Sequence, residues 1–546
     1  MMSSLTAAAR TPGATRFSRR QDGRVFGLLL ALYWLILYPI LRANRYHEDD
    51  LKRALIGRTG WDSNGRPLTT LLMKLLQCYD HALADISPFT QIAAIAILAW
   101  IGVLVARRYA IRSPWLAALI AFPLGAQPFF LANLSYKFDS LSMSLALLLA
   151  LLPVLVISNH RRGWWLGVLS LFGGLIFYQP ALNAYVIFVL LELLLAQLGH
   201  QAVRVWLRQL LLRISQLGAT LVVYQIVVGM HISGWVEVRS RKIHSLSELP
   251  LLKANIVHFY QLIGQSFNRQ WWTYFLPLLL MLTVLAWVIG LRYSWEHRGE
   301  HKTGTTVALV AGSLLLPLVA IFSVAGPMLL LLDPVLDARV LVGVGALLVA
   351  ALVAMQAALA RWRRSPRWVL AAGCMLGVGM CAMASAYGNA LGEQKQYEDR
   401  VAAELADSVA NLEQTQGIEH FMLDGTIGYA PITAHVADEF PLIRLIINPY
   451  LSSSYLFATR PFLKYYIKDL EGKLDQKTAE PDATSLHARA EILAKLCQAT
   501  PVYATSAYRI RVIDGIAVVS FPFKSADACL APPAIAARYV PPMAID

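Results

Sequence analysis

The sequence predicts a polytopic α-helical membrane protein, with about eleven transmembrane helices and a C-terminal α/β domain. Three observations carry that prediction. Of the 546 residues, 57% are hydrophobic and only 15% are charged, and the mean hydropathy is +0.51, a balance foreign to soluble multi-domain proteins. Many apolar runs approach the roughly 18 to 20 residues that an α-helix needs to cross ~30 Å of hydrocarbon, which excludes a barrel of short alternating strands. The arginines cluster between those runs, so the net charge of +14 is a topology signal rather than the footprint of a nucleic acid.

Residues 1–24 form a basic leader with Arg10, Arg16, Arg19, Arg20 and Arg24. No convincing small-residue cleavage site follows, so the first span is expected to be retained. Spans are expected at 25–42, 89–106, 114–133, 140–158, 164–178, 180–199, 214–232, 272–291, 305–328, 339–360 and 368–387. Arg107, Arg108 and Arg112, then Arg161 and Arg162, then Arg204, Arg208 and Arg213, then Arg361, Arg363, Arg364 and Arg367 mark alternate loops as cytoplasmic. The leader is then cytoplasmic, and an odd number of spans puts everything after Tyr387 outside, which in a bacterium is the periplasm. The transmembrane region is thus 25–387. The first loop, 43–88, falls on the outer face, together with the large loop 233–271 and the turns Lys137 to Asp139 and Asp333 to Arg339.

The tail, 388–546, has the size of one domain. "QYEDRVAAELADSVANLEQ" has helical periodicity through Val401, Leu405, Val409 and Leu412. "YRIRVIDGIAVVSF" reads as a hairpin, because Asp514 and Gly515 supply the positive φ angles of a type I′ turn, and "EHFMLDG" adds a short strand. Cys497 and Cys529 would share an oxidising compartment and are expected to pair.

The first loop stands out. Asn44 to Leu68 packs five basic and four acidic side chains into a greasy chain. After Pro67, the residues Leu68, Leu71, Leu72, Leu75, Leu76 and Tyr79 recur with helical spacing, predicting an amphipathic helix lying at the membrane interface. Glu48, Asp49 and Asp50 follow the first span within a few residues, where charge is costly unless used or paired. Local pairing with Arg45, Lys52 or Arg53 is the plain account. The functional account is a carboxylate acting as general base on a sugar hydroxyl, with basic residues facing the phosphate of a lipid carrier. Trp61 offers a face on which a sugar ring could stack. Three adjacent carboxylates could hold Mg²⁺, but no His accompanies them at ligand spacing, so neither metal nor cofactor is expected.

Tyr46, Asp49, Asp50, Arg53, Gly57, Gly60, Trp61, Gly65, Arg66, Pro67 and Leu68, followed by Asp85, Ser87 and Pro88, resemble the signature of the phage-type O-antigen glucosyltransferase II family. The resemblance extends to "FYQPALN" (Phe177 to Asn183), "YGNALGEQKQYEDR" (Tyr387 to Arg400) and "FPLIRLI" (Phe440 to Ile446). It implies a GT-C-like hexosyltransferase that takes a hexose, usually glucose, from undecaprenyl phosphate and adds it to O-antigen or lipopolysaccharide at the periplasmic face, with inversion at the donor carbon. It also implies an acidic residue of the first outer loop at the reaction centre.

On these grounds Asp50, narrowly ahead of Asp49, is the expected base, and Arg53, Arg66 and Lys52 are expected to hold the donor phosphate. Glu48, Tyr46, Trp61, Lys137, Asp139, Tyr178 and Gln179 are candidates for lining the sugar cleft. A transporter of a lipid-linked sugar is the rival class. Spans nearly free of charge apart from Glu192, and the lack of an internal repeat, weigh against it.

Overall fold

The computed structural model describes residues 18–78, 82–157, 161–232, 237, 241–299, 303–475, 483–523 and 525. Among them, eight helices are long and apolar enough to cross a membrane, with three shorter apolar helices at Pro114–Ala126, Ser140–Leu155 and Arg162–Phe177. All eleven lie at positions expected of spans, but eight alone have the length. The expected span 114–133 is instead three pieces, α5 (Pro114–Ala121), α6 (Pro123–Ala126) and α7 (Phe130–Ser135). Pro123 and Pro128 remove backbone donors there and break the run.

Helix α1 (Arg19–Ala43) starts within the predicted leader, its first turn capped by the Ser18 side chain, which accepts from the Gln21 N–H. It packs against α4 (Phe89–Arg108), which packs on α8 (Ser140–Leu155), and α8 on α9 (Arg161–Phe177). The two ends of the bundle differ in chemistry. At one end Arg107 Nε donates to Asp22 Oδ1 at 3.0 Å, and Arg108 and Arg213 converge on Glu192 at 2.8 and 3.1 Å. The one acidic residue expected inside a span is therefore paired with arginines of the basic loops. At the other end the first loop, the α7–α8 turn, the end of α9 and the Asp337 to Arg339 turn meet. Asn268 Nδ2, at the close of the second large loop, donates to the Glu439 carbonyl at 2.7 Å.

The helix Arg367–Gln416 runs unbroken for 50 residues, through the boundary expected at 387/388. Gly388 is where it crosses α1: a Cβ there would stand 2.6 Å from the Pro39 carbonyl carbon, so only glycine permits the approach. Beyond the crossing, Val401, Leu405, Val409 and Leu412 are buried, as their spacing predicts, in a second core with Phe421, Ile510 and Val519. Leu51 of the first loop, 2% exposed, belongs to this same core.

That core backs a four-stranded sheet of order β1-β4-β3-β2, with β1 His420–Asp424, β2 Tyr503–Ala504, β3 Arg509–Ile513 and β4 Ile516–Ser520. The hairpin β3–β4 is antiparallel, with Ile513 opposite Ile516, and Asp514 and Gly515 take φ of 50° and 79°. Strand β1 joins β4 in parallel, Met422 opposite Val518. Cys497 is disulfide-bonded; Cys529, its expected partner, lies outside the described residues, as do Arg10, Arg16 and Tyr79.

Candidate active site

The loop after α1 folds into α2 (Asp50–Ile56) and α3 (Pro67–Gln77). Helix α2 ends at Gly57, whose φ of +66° and whose approach to Ala82, 2.6 Å from where a Cβ would sit, both demand glycine. The Leu83 N–H donates to the Gly57 carbonyl at 2.9 Å and ties the loop's return to this turn. Helix α3 docks through buried Thr69, Thr70 and Met73 and leaves Leu71 and Leu75 50% and 66% exposed. An apolar stripe turned away from the protein is what a helix at a bilayer surface presents.

The three adjacent acids do not share a site. Glu48 takes the left-handed conformation, φ +48°, uncommon for a side chain with a Cβ and frequent where function constrains the backbone. It sends its carboxylate to the tail, where Asn448 Nδ2 donates to Oε1 at 2.8 Å and the Tyr455 hydroxyl to Oε2. Asp49 turns to Arg53, 2.6 Å from Nη2, and its side chain is 34% exposed. Asp50 is 0% exposed; its Oδ2 accepts the Lys137 N–H at 2.6 Å, while Oδ1 has no hydrogen-bond partner among the described residues. Burial raises the pKa of both aspartates. For Asp49 the Arg53 charge opposes that rise, whereas for Asp50 the charges of Asp49 and Asp139 add to it.

Asp139, at the start of α8, joins the loop to the bundle. It accepts Trp61 Nε1–H at 2.9 Å and pairs with Arg66 Nη2 at 2.7 Å, with Arg53 Nη2 4.0 Å away. The Arg53 guanidinium stacks 4.0 Å from the Trp61 ring centre. Arg66 also donates to the Phe177 carbonyl at 2.7 Å, and Gln179 Nε2 to the Asn64 carbonyl at 3.0 Å, so the end of α9 holds the Trp61 to Gly65 turn. Lys137 Nζ reaches Asn44 Oδ1 at 2.6 Å and Asp85 at 3.5 Å, over the Tyr46 ring, whose hydroxyl donates to Asp85 at 3.0 Å.

Asp49, Asp139, Arg53, Arg66 and Trp61 are thus brought together, with Asp50 joined to Lys137 beside them. Three residues stand otherwise than expected. Trp61 is 1% exposed, one face covered by Arg53, so it braces Asp139 and has no free face for a sugar. Lys52 leaves the cluster: its ammonium lies 5.1 Å from the Phe457 ring centre, because successive residues of a helix face different ways. Tyr178 is buried and donates to the Arg339 carbonyl at 2.9 Å, a bracing position rather than a cleft wall.

Several site residues escape sequence reading. Arg339, paired with Asp337 at 3.2 Å and bonded to the Tyr136 hydroxyl, acts on Asp49 electrostatically. Arg45 is buried between Glu398 at 2.9 Å and the Tyr450 ring at 3.8 Å. His47 is buried edge-on to Tyr136, and burial lowers its pKa to about 3, so it is neutral. These partners come from distant parts of the chain, and no local spacing announces them.

A helical bundle of membrane-crossing length, carrying a buried carboxylate–guanidinium cluster at one end, defines a membrane protein with an enzyme-like polar site. The chain belongs to the glucosyl transferase GtrII family, whose sequence pattern matches residues 38–350. It is also 25% identical over 466 residues to an uncharacterized 55.3 kDa protein in the gtrB 5′ region of Salmonella phage P22, covering 83% of this chain and 94% of that one. No solved structure matches. Family membership makes glycosyl transfer the class of activity.

Proposed function

We propose that this protein moves a hexose, glucose by its family, from undecaprenyl phosphate onto O-antigen of lipopolysaccharide at the periplasmic face of the bacterial inner membrane. The observation that carries the reading is the Asp49–Arg53 pair, the partly exposed member of an otherwise buried charge cluster. Asp49 is the base: the acceptor hydroxyl oxygen bonds to the donor's anomeric carbon with inversion, its proton passes to Asp49, and the carbon–oxygen bond to phosphate breaks with its electron pair leaving on the phosphate. Protonating Asp49 removes Arg53's counter-charge just as negative charge grows on the leaving phosphate, so Arg53 is freed to meet it. Asp50, locked on the Lys137 N–H, positions the start of α2, and Arg66 holds Asp139. The three acids diverge to separate partners, and the reading needs no metal.

The test is transfer of radiolabelled glucose from undecaprenyl-phosphate glucose to lipopolysaccharide by purified protein in detergent. Label should enter the polymer with the native protein and fall roughly 100-fold or more in Asp49→Asn. A protein that binds the lipid donor yet transfers nothing would favour carriage of the lipid-linked sugar instead.

A further inference from the structure

Beside the carboxylate cluster, on the far side of Lys137, lies a cleft of about 440 Å³ between the first loop and the tail. Its volume falls among small-molecule sites of ~300–1,000 Å³. Tyr46, Asp85 and Lys137 form one wall, and Lys395, Tyr465 and Tyr466 are on the other. Neither Asp49 nor Asp50 lines it. The link is Lys137, whose backbone N–H holds Asp50 while its ammonium faces the cleft.

We propose that this cleft binds the saccharide acceptor, an uncharged oligosaccharide segment, and feeds its terminal hydroxyl toward Asp49. Three features select that ligand. The tyrosine rings offer flat apolar faces with polar rims, suited to a sugar's C–H face and hydroxyl edge. Fixed donors and acceptors are interleaved with them: the Tyr466 hydroxyl donates to Asp399 at 2.9 Å, and Lys395 pairs with Asp399 at 2.8 Å. Asp85 and Asp399 pair with the ammonium groups of Lys137 and Lys395, and Glu398 is paired with Arg45 behind the wall, so no net charge calls for an ionic ligand. A polyprenyl chain is disfavoured, because Leu51 and Phe462 are the only aliphatic or phenyl groups among the described residues of the lining. The inference rests on the transferase reading and adds a site to it.

The test uses full-length protein with Tyr465→Ala and Lys395→Gln. Tyr465 is 55% exposed and the Lys395 side chain 39% exposed, so neither change disturbs the core. Soluble O-antigen oligosaccharide is the probe, with saturation-transfer NMR for binding and steady-state kinetics for each substrate. The expected result is a five-fold or greater weakening of oligosaccharide binding and a matching rise in acceptor KM, with donor KM unchanged. A rise in donor KM alone, or unchanged oligosaccharide binding in both variants, would overturn the acceptor site. Absence of transfer by the native protein, with oligosaccharide binding still lost in the variants, would overturn the transferase reading and leave the saccharide site standing.

Discussion

Asp49 and Asp50 are adjacent in sequence and opposite in circumstance. Asp49 is reachable and ion-paired, whereas Asp50 is sealed and half-satisfied. Since the pKa of Asp49 is raised, its active, ionised form grows as pH rises, so kcat/KM should climb through an acid limb displaced above the ordinary carboxylate range. Asp49→Asn should abolish that limb, which a pH–rate series would show. For Asp50 the linkage has the opposite sign for stability. Its pKa is raised on folding, so the folded state holds the proton more tightly. Stability is then greatest below the ordinary aspartate pKa and declines as pH rises toward the folded value. Asp50→Asn should flatten that decline in melting temperature measured in detergent between about pH 4 and 7. Trp61→Phe keeps most of the packing but strips Asp139 of a buried donor, costing about 1.5–3 kcal/mol, and should lower the melting point. The sequence marked these residues as special through their charge density but misjudged Trp61. Nothing local says that Arg53 covers its face.

The amphipathic α3 and the β3–β4 hairpin were readable because each rests on short-range physics: a leucine period, a proline at the first turn, and an Asp-Gly pair. What could not be read was which residues of α3 dock it, such as Thr69 on the Phe177 carbonyl. The leucine stripe was expected at the membrane interface: Leu71 and Leu75 do stand exposed, but Leu68, Leu72 and Leu76 pack partly against the protein beside the docked Thr69, Thr70 and Met73. The breakage of 114–133 was signalled by its prolines, although its hydropathy suggested one span. The meeting of α1 with the long helix depends on Gly388, and Gly388→Val should prevent the two from packing. The measurement is recovery of monodisperse protein after detergent extraction; an unchanged yield would show that the crossing tolerates a side chain.

Orientation of the whole chain rests on the arginine loops, of whose members Arg107 pairs with Asp22 and Arg108 and Arg213 meet on Glu192. Alkaline phosphatase fused after residue 416 should be active, and fused after residue 112 inactive; the reverse pattern would invert the topology. Thiol titration of denatured, unreduced protein should find three free thiols, since Cys78, Cys374 and Cys381 are free, and five would exclude a Cys497–Cys529 bridge. The tail was readable as a distinct domain, but its contacts with the first loop were not readable residue by residue. Asn448, Tyr450 and Tyr455 reach Glu48, Arg45 and Tyr46 across some four hundred residues of sequence, a pairing that only the folded chain displays.

The unbroken helix Arg367–Gln416 also sets a phase. Each residue inserted between Gly388 and Glu398 would turn everything beyond it by about 100° and advance it by about 1.5 Å. The Gly388 crossing is fixed to α1 at one end, while Glu398 must meet Arg45 at the other. A single added alanine would therefore swing Glu398 off its buried partner and carry the tail's wall of the cleft with it. Seven added residues, about two full turns, would restore the angle but overshoot by about 10 Å. The length of this stretch is accordingly as constrained as any side chain in the site, and this chain cannot gain or lose residues there without uncoupling the tail from the first loop.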